Sequence, residues 1–350
     1  FSGADMQWAS RNGWGGAYPD RDAHGGADMM PWWLNQVRLR SEAAGRRLLD
    51  VFSLHFYPQG GEFSDDVSAA MQARRNRSTR SLWDTNYTDE SWISDKVRLI
   101  PLMKSWVASN YPGTPIGLTE YSWGADQHMN GATAQADVLG ILGREGVELA
   151  TRWVIPAANS AAYRAFQMYR NFDGQNGAFG EVSVKVTVPD PDAVSVFAAE
   201  QSAAGNLTLV AINKQMGLSA ALDVRLTNFT HVGLAQVWQF ASNQPIARLP
   251  DVVITSNLIH TLPAQSVTTF LLPGRPRLDP MRMDGPGQAT LTLNGAAGVS
   301  YAMDASTALA SALGKLFTTG EGLNETSGPV GVVQLVAEQL MAHKVINRIE

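Results

Sequence analysis

The sequence predicts an α/β segment with parallel strands followed by an antiparallel β-sandwich, and three observations carry that reading. Between about residues 30 and 172, short apolar runs alternate with segments of helical period; repeated strand-then-helix order implies parallel strands joined by crossovers. From about Gly180 to Leu272, short Val-, Leu- and Thr-rich runs replace any helical period, most of them separated by Gly, Asn, Asp or Pro. That is the pattern of a sandwich. At Pro273-Gly274-Arg275-Pro276 the composition breaks again, so the rest reads as a linker and a partial extension. The implied divisions are 1–175, 176–274 and 275–350, and a chain of 350 residues is long enough for at least two of them to hold cores of their own.

In order, Met30 to Leu49 is helical in period, with Trp33, Val37 and Leu39 near one face. Leu49 to Tyr57 is a strand stopped by Pro58, because proline cannot continue a ladder. Ser91 to Asn110 is an amphipathic helix carrying Trp92, Val97, Ile100, Met103 and Val107, kinked at Pro101 and stopped at Tyr111-Pro112-Gly113. Pro115 to Gly124 opens on turn residues and reads as a buried strand. A helix from about Thr133 to Glu145, a strand from Leu149 to Ile155 and a helix from about Ala161 to Tyr169 complete the α/β part. The sandwich strands are Val182–Val188, Ala193–Ala199, Leu207–Asn213, Ala221–Leu226, Ala235–Phe240 and Val267–Leu272. Beyond Pro273, Ala289–Leu293 and Val299–Met303 read as strands, and Val330–Met341 has helical period.

Composition excludes several functions. No cysteine is present, which removes disulfides, thiol catalysis and cysteine-bound zinc. A charged fraction of 17% and net charge of −5 do not suit a nucleic-acid partner. No apolar stretch approaches a membrane span. The six histidines form no His-x-x-x-His pair, so zinc is not expected there either. Ten tryptophans are a surplus, and aromatic rings suit ligand faces.

The chemistry concentrates at strand ends. Glu120 emerges at the C-terminal end of its strand, followed by Tyr121 and Trp123. Carboxylates beside aromatic faces build sugar-cleaving sites, although a lone strand-end Glu also fits one that simply meets solvent. His55 and Tyr57 leave the previous strand at the same end, and Trp153 leaves the next. Each alone fits a strand cap or a core ring; the three strand ends together point to a site, because the strand C-termini of a β/α barrel meet at one face.

Several blocks carry a resemblance to a known family: Asp-Val-Phe-Ser-Leu-His-Phe-Tyr-Pro-Gln (50–59), Ser-Leu-Trp-Asp-Thr-Asn-Tyr-Thr-Asp-Glu-Ser-Trp-Ile (81–93), Leu-Thr-Glu-Tyr-Ser-Trp-Gly-Ala (118–125), the run 134–146, Ala-Thr-Arg-Trp (150–153) and Tyr-Arg-Asn-Phe-Asp-Gly (169–174). From about residue 1 to 272 the chain resembles glycoside hydrolase family 44, retaining endo-β-1,4-glucanases and xyloglucanases built as a (β/α)8 barrel with a β-sandwich. The resemblance implies that residues 1–175 are the C-terminal part of the barrel, about strands six to eight. It makes Glu120 the nucleophile, Tyr57 the residue that orients it, and His55 a neighbour of the −1 sugar. Trp153 becomes the platform under that sugar; Trp83, Trp92, Tyr121 and Trp123 line the substrate. The family's acid/base Glu lies in an Asn-Glu pair on strand four, and the only Asn-Glu here is Asn324-Glu325 in the tail. An N-terminally truncated member is therefore expected, inactive on polymer by itself, with Asp84, Asp89 and Glu90 a solvated acidic loop rather than a substitute. A non-catalytic carbohydrate-binding protein is the alternative. The implied substrate is a plant β-glucan (cellulose, xyloglucan or xylan), cut by a secreted monomer with no membrane or nucleic-acid partner. No cofactor is required. Relatives bind structural calcium, and Asp20, Asp22 and Asp28 are candidates for it here, though without calcium-loop spacing.

Overall fold

The computed structural model describes residues 23–274 other than 230, 232–233 and 255–256, and, farther on, the backbone of short strand segments between 277 and 349. Three strands, β1 (Phe52–Phe56), β2 (Ile116–Tyr121) and β3 (Leu149–Ala150), form a parallel sheet in that order. β1 alternates strictly: Phe52, Leu54 and Phe56 are buried, while Ser53 and His55 are only half-buried. One face therefore packs on helices and the other is polar and open. The register slips once: Leu54 faces Leu118, but His55 faces Glu120. Thr119 is the extra residue of this bulge, which brings Glu120 level with His55 on the open face.

The helices that cover the apolar face are α1 (Met29–Ala44), α2 (Ala69–Ser78), α3 (Leu99–Asn110), α4 (Met129–Arg144) and α5 (Ala161–Arg170). α1 ends five residues before its expected stop because Gly45 takes a left-handed conformation (φ 64°) and returns its N–H to Glu42 and Ser41. The expected helix from Ser91 begins only at Leu99, so Pro101 falls in its first turn, where an N–H is not needed and no kink arises. α2 is unanticipated. Its inward residues are Arg75, Asn76 and Ser78, so it has no apolar stripe for periodicity to reveal. Ser68 caps it, accepting from the Met71 N–H at 3.3 Å. β3 is shorter than expected, yet the N–H groups of Thr151 and Trp153 still donate to Leu118 and Tyr121 carbonyls, both at 3.0 Å.

A six-stranded antiparallel sheet follows. In chain order its strands are β4 (Val182–Val184), β5 (Val194–Gln201), β6 (Asn206–Asn213), β8 (Leu234–Ala241), β9 (Ala247–Val253) and β11 (Ser266–Leu272); across the sheet they run β4-β5-β6-β11-β8-β9. β7 (Ala220–Arg225) pairs only with β10 (Asn257–Leu262) as a separate ribbon. β9 and β10 were not foreseen; Pro250 and the turn-rich stretch around Asn257 conceal them. Alternation divides the large sheet. Phe197, Val210, Ile212, Phe240 and Val267 join the core of the helical layer with Ile141 and Met168, whereas Val196, Leu209, Val237 and Phe270 pack with Leu258 and Leu262 of the ribbon. Gly140 permits the closest approach: a Cβ there would lie 2.1 Å from the Phe197 ring. Farther on, Val332–Val336 is a strand paired with Gln288–Asn294, not a helix, as its β-branched run favours. Most of the expected strand 299–303 lies outside the described residues.

Candidate active site

The bulge and the strand alternation place three side chains together. Tyr57 Oη donates to Glu120 Oε2 at 3.0 Å. His55 Nδ1 lies 3.1 Å from the same oxygen. Among the described residues no partner reaches Oε1, so one carboxylate oxygen is fixed and the other is available. The Glu120 side chain is 30% exposed. The Tyr57 hydroxyl is pushed up to about 12, first by loss of solvent and then by the bond to Glu120 and its charge; the positive Arg152 opposes this. Tyr57 is therefore a neutral donor throughout the physiological range.

Trp153 is 57% exposed, and its N–H is tied to the Tyr121 carbonyl immediately after Glu120. Its peptide bond to Val154 is cis. Trp92 is also exposed; its Nε1 donates to Gln59 Oε1 at 3.3 Å, and Gln59 Nε2 donates to the Tyr57 carbonyl at 2.8 Å. The loop after β1 thereby connects Trp92 to the backbone of Tyr57.

Other expected residues lie elsewhere. Tyr121 and Trp123 are buried at 1% and 2% exposure, so neither offers a face to a ligand. Alternation along β2 sends Tyr121 to the helical side, where its hydroxyl accepts from Gln135 Nε2 at 3.0 Å. Trp123 donates to Ser78 Oγ at 3.0 Å and packs at a tilt on Phe56. Trp83 sits at the junction of the two layers, its ring beneath the Arg144 guanidinium at 4.3 Å, and not with Glu120. The acidic loop is not uniformly solvated. Asp84 pairs with Arg80 and Glu90 with Arg77, but Asp89 is buried, accepting from Ser81 Oγ at 2.8 Å and the Ser91 N–H at 2.9 Å.

Two arginines behind the site carried no sequence signal. Arg75 of α2 is fully buried and donates to the carbonyls of Glu62, Ser64, Asp66 and Trp123 and to Asn130 Oδ1 at 2.6–3.0 Å. It staples the loop after β1 to the loop after β2, using carbonyl oxygens where a carboxylate would normally stand; burial pulls its pKa down. Arg152, next to Trp153, pairs with Asp126. Of the three acids considered for calcium, Asp28 stands at the start of α1, and Asp20 and Asp22 lie outside the described residues. Among the described residues no group of three or more metal-competent side chains converges.

Residues 3–60 match the family model of glycoside hydrolase family 44. The solved structure of CelM2, a bifunctional glucanase-xylanase from a metagenome library, superposes with a TM-score of 0.74 at 51% identity, over 78% of this chain and 54% of that one. In sequence and in fold this chain is similar to glycoside hydrolase family 44. A family 44 xyloglucanase from Paenibacillus polymyxa superposes with a TM-score of 0.71 at 30% identity, over 78% of this chain and 55% of that one. Endoglucanase A of Paenibacillus lautus is 33% identical over 222 residues, which is 60% of this chain and 32% of that protein. The β-mannanase/endoglucanase A of Caldicellulosiruptor saccharolyticus is 31% identical over 239 residues, 62% of this chain and 18% of that protein. The chain thus spans about half of the solved structures it matches and a third or less of these two enzymes.

Proposed function

We propose that this chain carries the nucleophile of a retaining, endo-acting glycosidase that cleaves β-1,4-glucan polysaccharide, with cellulose, xyloglucan or xylan as candidate substrates. The observation that supports it most is the Glu120 carboxylate, held through one oxygen by Tyr57, with His55 Nδ1 3.1 Å from the same atom, and open at the other. In the proposed reaction Glu120 Oε1 attacks the anomeric carbon, and the C1–O bond to the leaving sugar breaks with its electron pair going to that oxygen. Water then hydrolyses the glycosyl ester, restoring Glu120 and retaining configuration. Tyr57 holds the attacking geometry, His55 borders the sugar bound there and Trp153 supplies the stacking face.

Retention requires a second carboxyl about 5–5.5 Å from the nucleophile, first as acid and then as base. Among the described residues no carboxylate contacts Glu120, and the nearby acids Asp84, Asp89 and Glu90 are engaged elsewhere. The acid/base is accordingly proposed to come from outside the described residues. On this reading β1–β3 correspond to strands six to eight of a (β/α)8 barrel within 1–175. The six-stranded sheet and its ribbon make a β-sandwich within 176–274, and 275–350 is linker and extension. A polysaccharide substrate fits a secreted monomer.

The test is the configuration of the first product from 2,4-dinitrophenyl β-cellobioside, whose leaving group needs no proton, with azide as acceptor and proton NMR as readout. β-Cellobiosyl azide or β-cellobiose is expected. An α product first would exclude the mechanism, and identical turnover by Glu120→Gln would exclude the nucleophile.

A further inference from the structure

Arg152 precedes the exposed ring of Trp153 by one residue and is itself nearly sealed, with 5% of its side chain exposed. Its guanidinium bridges α4, the turn after β2 and the segment after β3. Nε donates to Gln135 Oε1 of α4 at 3.0 Å. Nη2 donates to Ser122 Oγ at 3.3 Å and to Asp126, both in the turn after β2. Nη1 donates to the Val154 carbonyl at 2.5 Å. Gln135 extends the network to the Tyr121 hydroxyl, and the Tyr121 carbonyl in turn receives the Trp153 N–H. Trp153 is thus anchored on both sides: its own N–H on β2, and the carbonyl of the next residue on Arg152. Only a planar fork with several fixed donors spans these partners at once; an ammonium does not.

We propose that Arg152 is a positioning residue of the glycosidase site: its guanidinium fixes the backbone on either side of Trp153 and so holds that residue as a sugar platform beside Glu120. This rests on the reading of Glu120 as nucleophile. The experiment is inactivation of the chain by 2-deoxy-2-fluoro-β-cellobiosyl fluoride, followed by intact mass. The Glu120 Oε1–C1 bond forms, the C1–F bond breaks and fluoride leaves with the electron pair, so no proton donor is needed. The inactivator's dissociation constant, the limiting rate and the final label per chain are read together.

Arg152→Lys keeps the charge but cannot span the partners, so the dissociation constant should rise about 10-fold, and Arg152→Met should weaken binding similarly. A purely structural role would instead lower the label per chain and leave the dissociation constant unchanged; that result overturns the inference, as does wild-type behaviour of Arg152→Met. Glu120→Gln separates the two claims. Labelling of that variant at the wild-type rate, or no labelling of the wild type, defeats the nucleophile reading itself. An unreactive Glu120→Gln with wild-type Arg152 variants defeats this inference alone.

Discussion

Glu120 and Asp137 each place one carboxylate oxygen between a hydroxyl and a nitrogen. Glu120 Oε2 accepts from Tyr57 at 3.0 Å and lies 3.1 Å from His55 Nδ1; Asp137 Oδ2 accepts from Thr79 Oγ1 at 2.7 Å and Lys214 Nζ at 2.9 Å. Their surroundings differ. The Asp137 and Lys214 side chains are 2% and 1% exposed at the junction between α4 and the six-stranded sheet, where Asn76 Nδ2 also donates to the Lys214 carbonyl at 2.8 Å. Glu120 stands on the open face of a parallel sheet with an exposed tryptophan beside it. Similar partners therefore stand in different settings: a sealed carboxylate joins two layers, and an accessible one with a free oxygen is the proposed nucleophile. Access, not the chemistry of the contacts, makes the difference.

That contrast can be broken at either end. The largest effect is expected from Glu120→Gln, which should slow covalent labelling by roughly 10⁴- to 10⁶-fold while thermal unfolding stays near wild type. A large fall in Tm would make Glu120 a structural residue like Asp137. Next, Lys214→Met should destabilise the fold by about 3–5 kcal/mol, because it leaves a buried carboxylate without its cation, with labelling of the folded fraction unchanged. Denaturant titration measures the first outcome and intact mass the second. The double change Asp137→Leu with Lys214→Met should recover most of that loss.

Tyr57→Phe should slow labelling by roughly 10- to 150-fold, since a hydrogen bond to a charged group contributes about 1.5–3 kcal/mol. Stopped-flow release of dinitrophenolate from an activated cellobioside is the check. The smallest effect concerns Glu62, a buried carboxyl in the loop after β1 whose pKa is raised, mainly by burial. The native state then binds its proton more tightly than the unfolded chain. The associated stability is full below the unfolded value of 4.5 and declines as pH rises toward the native one. Glu62→Gln should therefore be more stable than wild type at pH 7, with the gain vanishing as pH falls below the unfolded value. A gain independent of pH would contradict this.

The sequence showed the strand ends and hid what stands behind them. Glu120, Tyr57 and His55 were legible because short apolar runs bounded by proline and glycine mark strands whose last side chains must emerge together. Tyr121 and Trp123 were misread for want of the period-two rule: once Glu120 faces the open side, Tyr121 must face the helices. Trp83 was drawn in by being an aromatic in a loop, yet the tertiary contact with Arg144 places it at the layer junction. α2 was invisible because its inward face is Arg75, Asn76 and Ser78, and polar cores leave no hydrophobic period. Arg75 and Arg152 are buried cations whose acceptors are mainly backbone carbonyls or residues distant in sequence, so no local pattern announces them. β9 and β10 were lost to a proline and to short, half-exposed runs.

The most direct test of the account is the position of the covalent label. After reaction with 2-deoxy-2-fluoro-β-cellobiosyl fluoride, peptic digestion and tandem mass spectrometry should find a single fluorocellobiosyl ester, on Glu120. An ester on another carboxylate, or equal labelling of the Glu120→Gln chain, would contradict it.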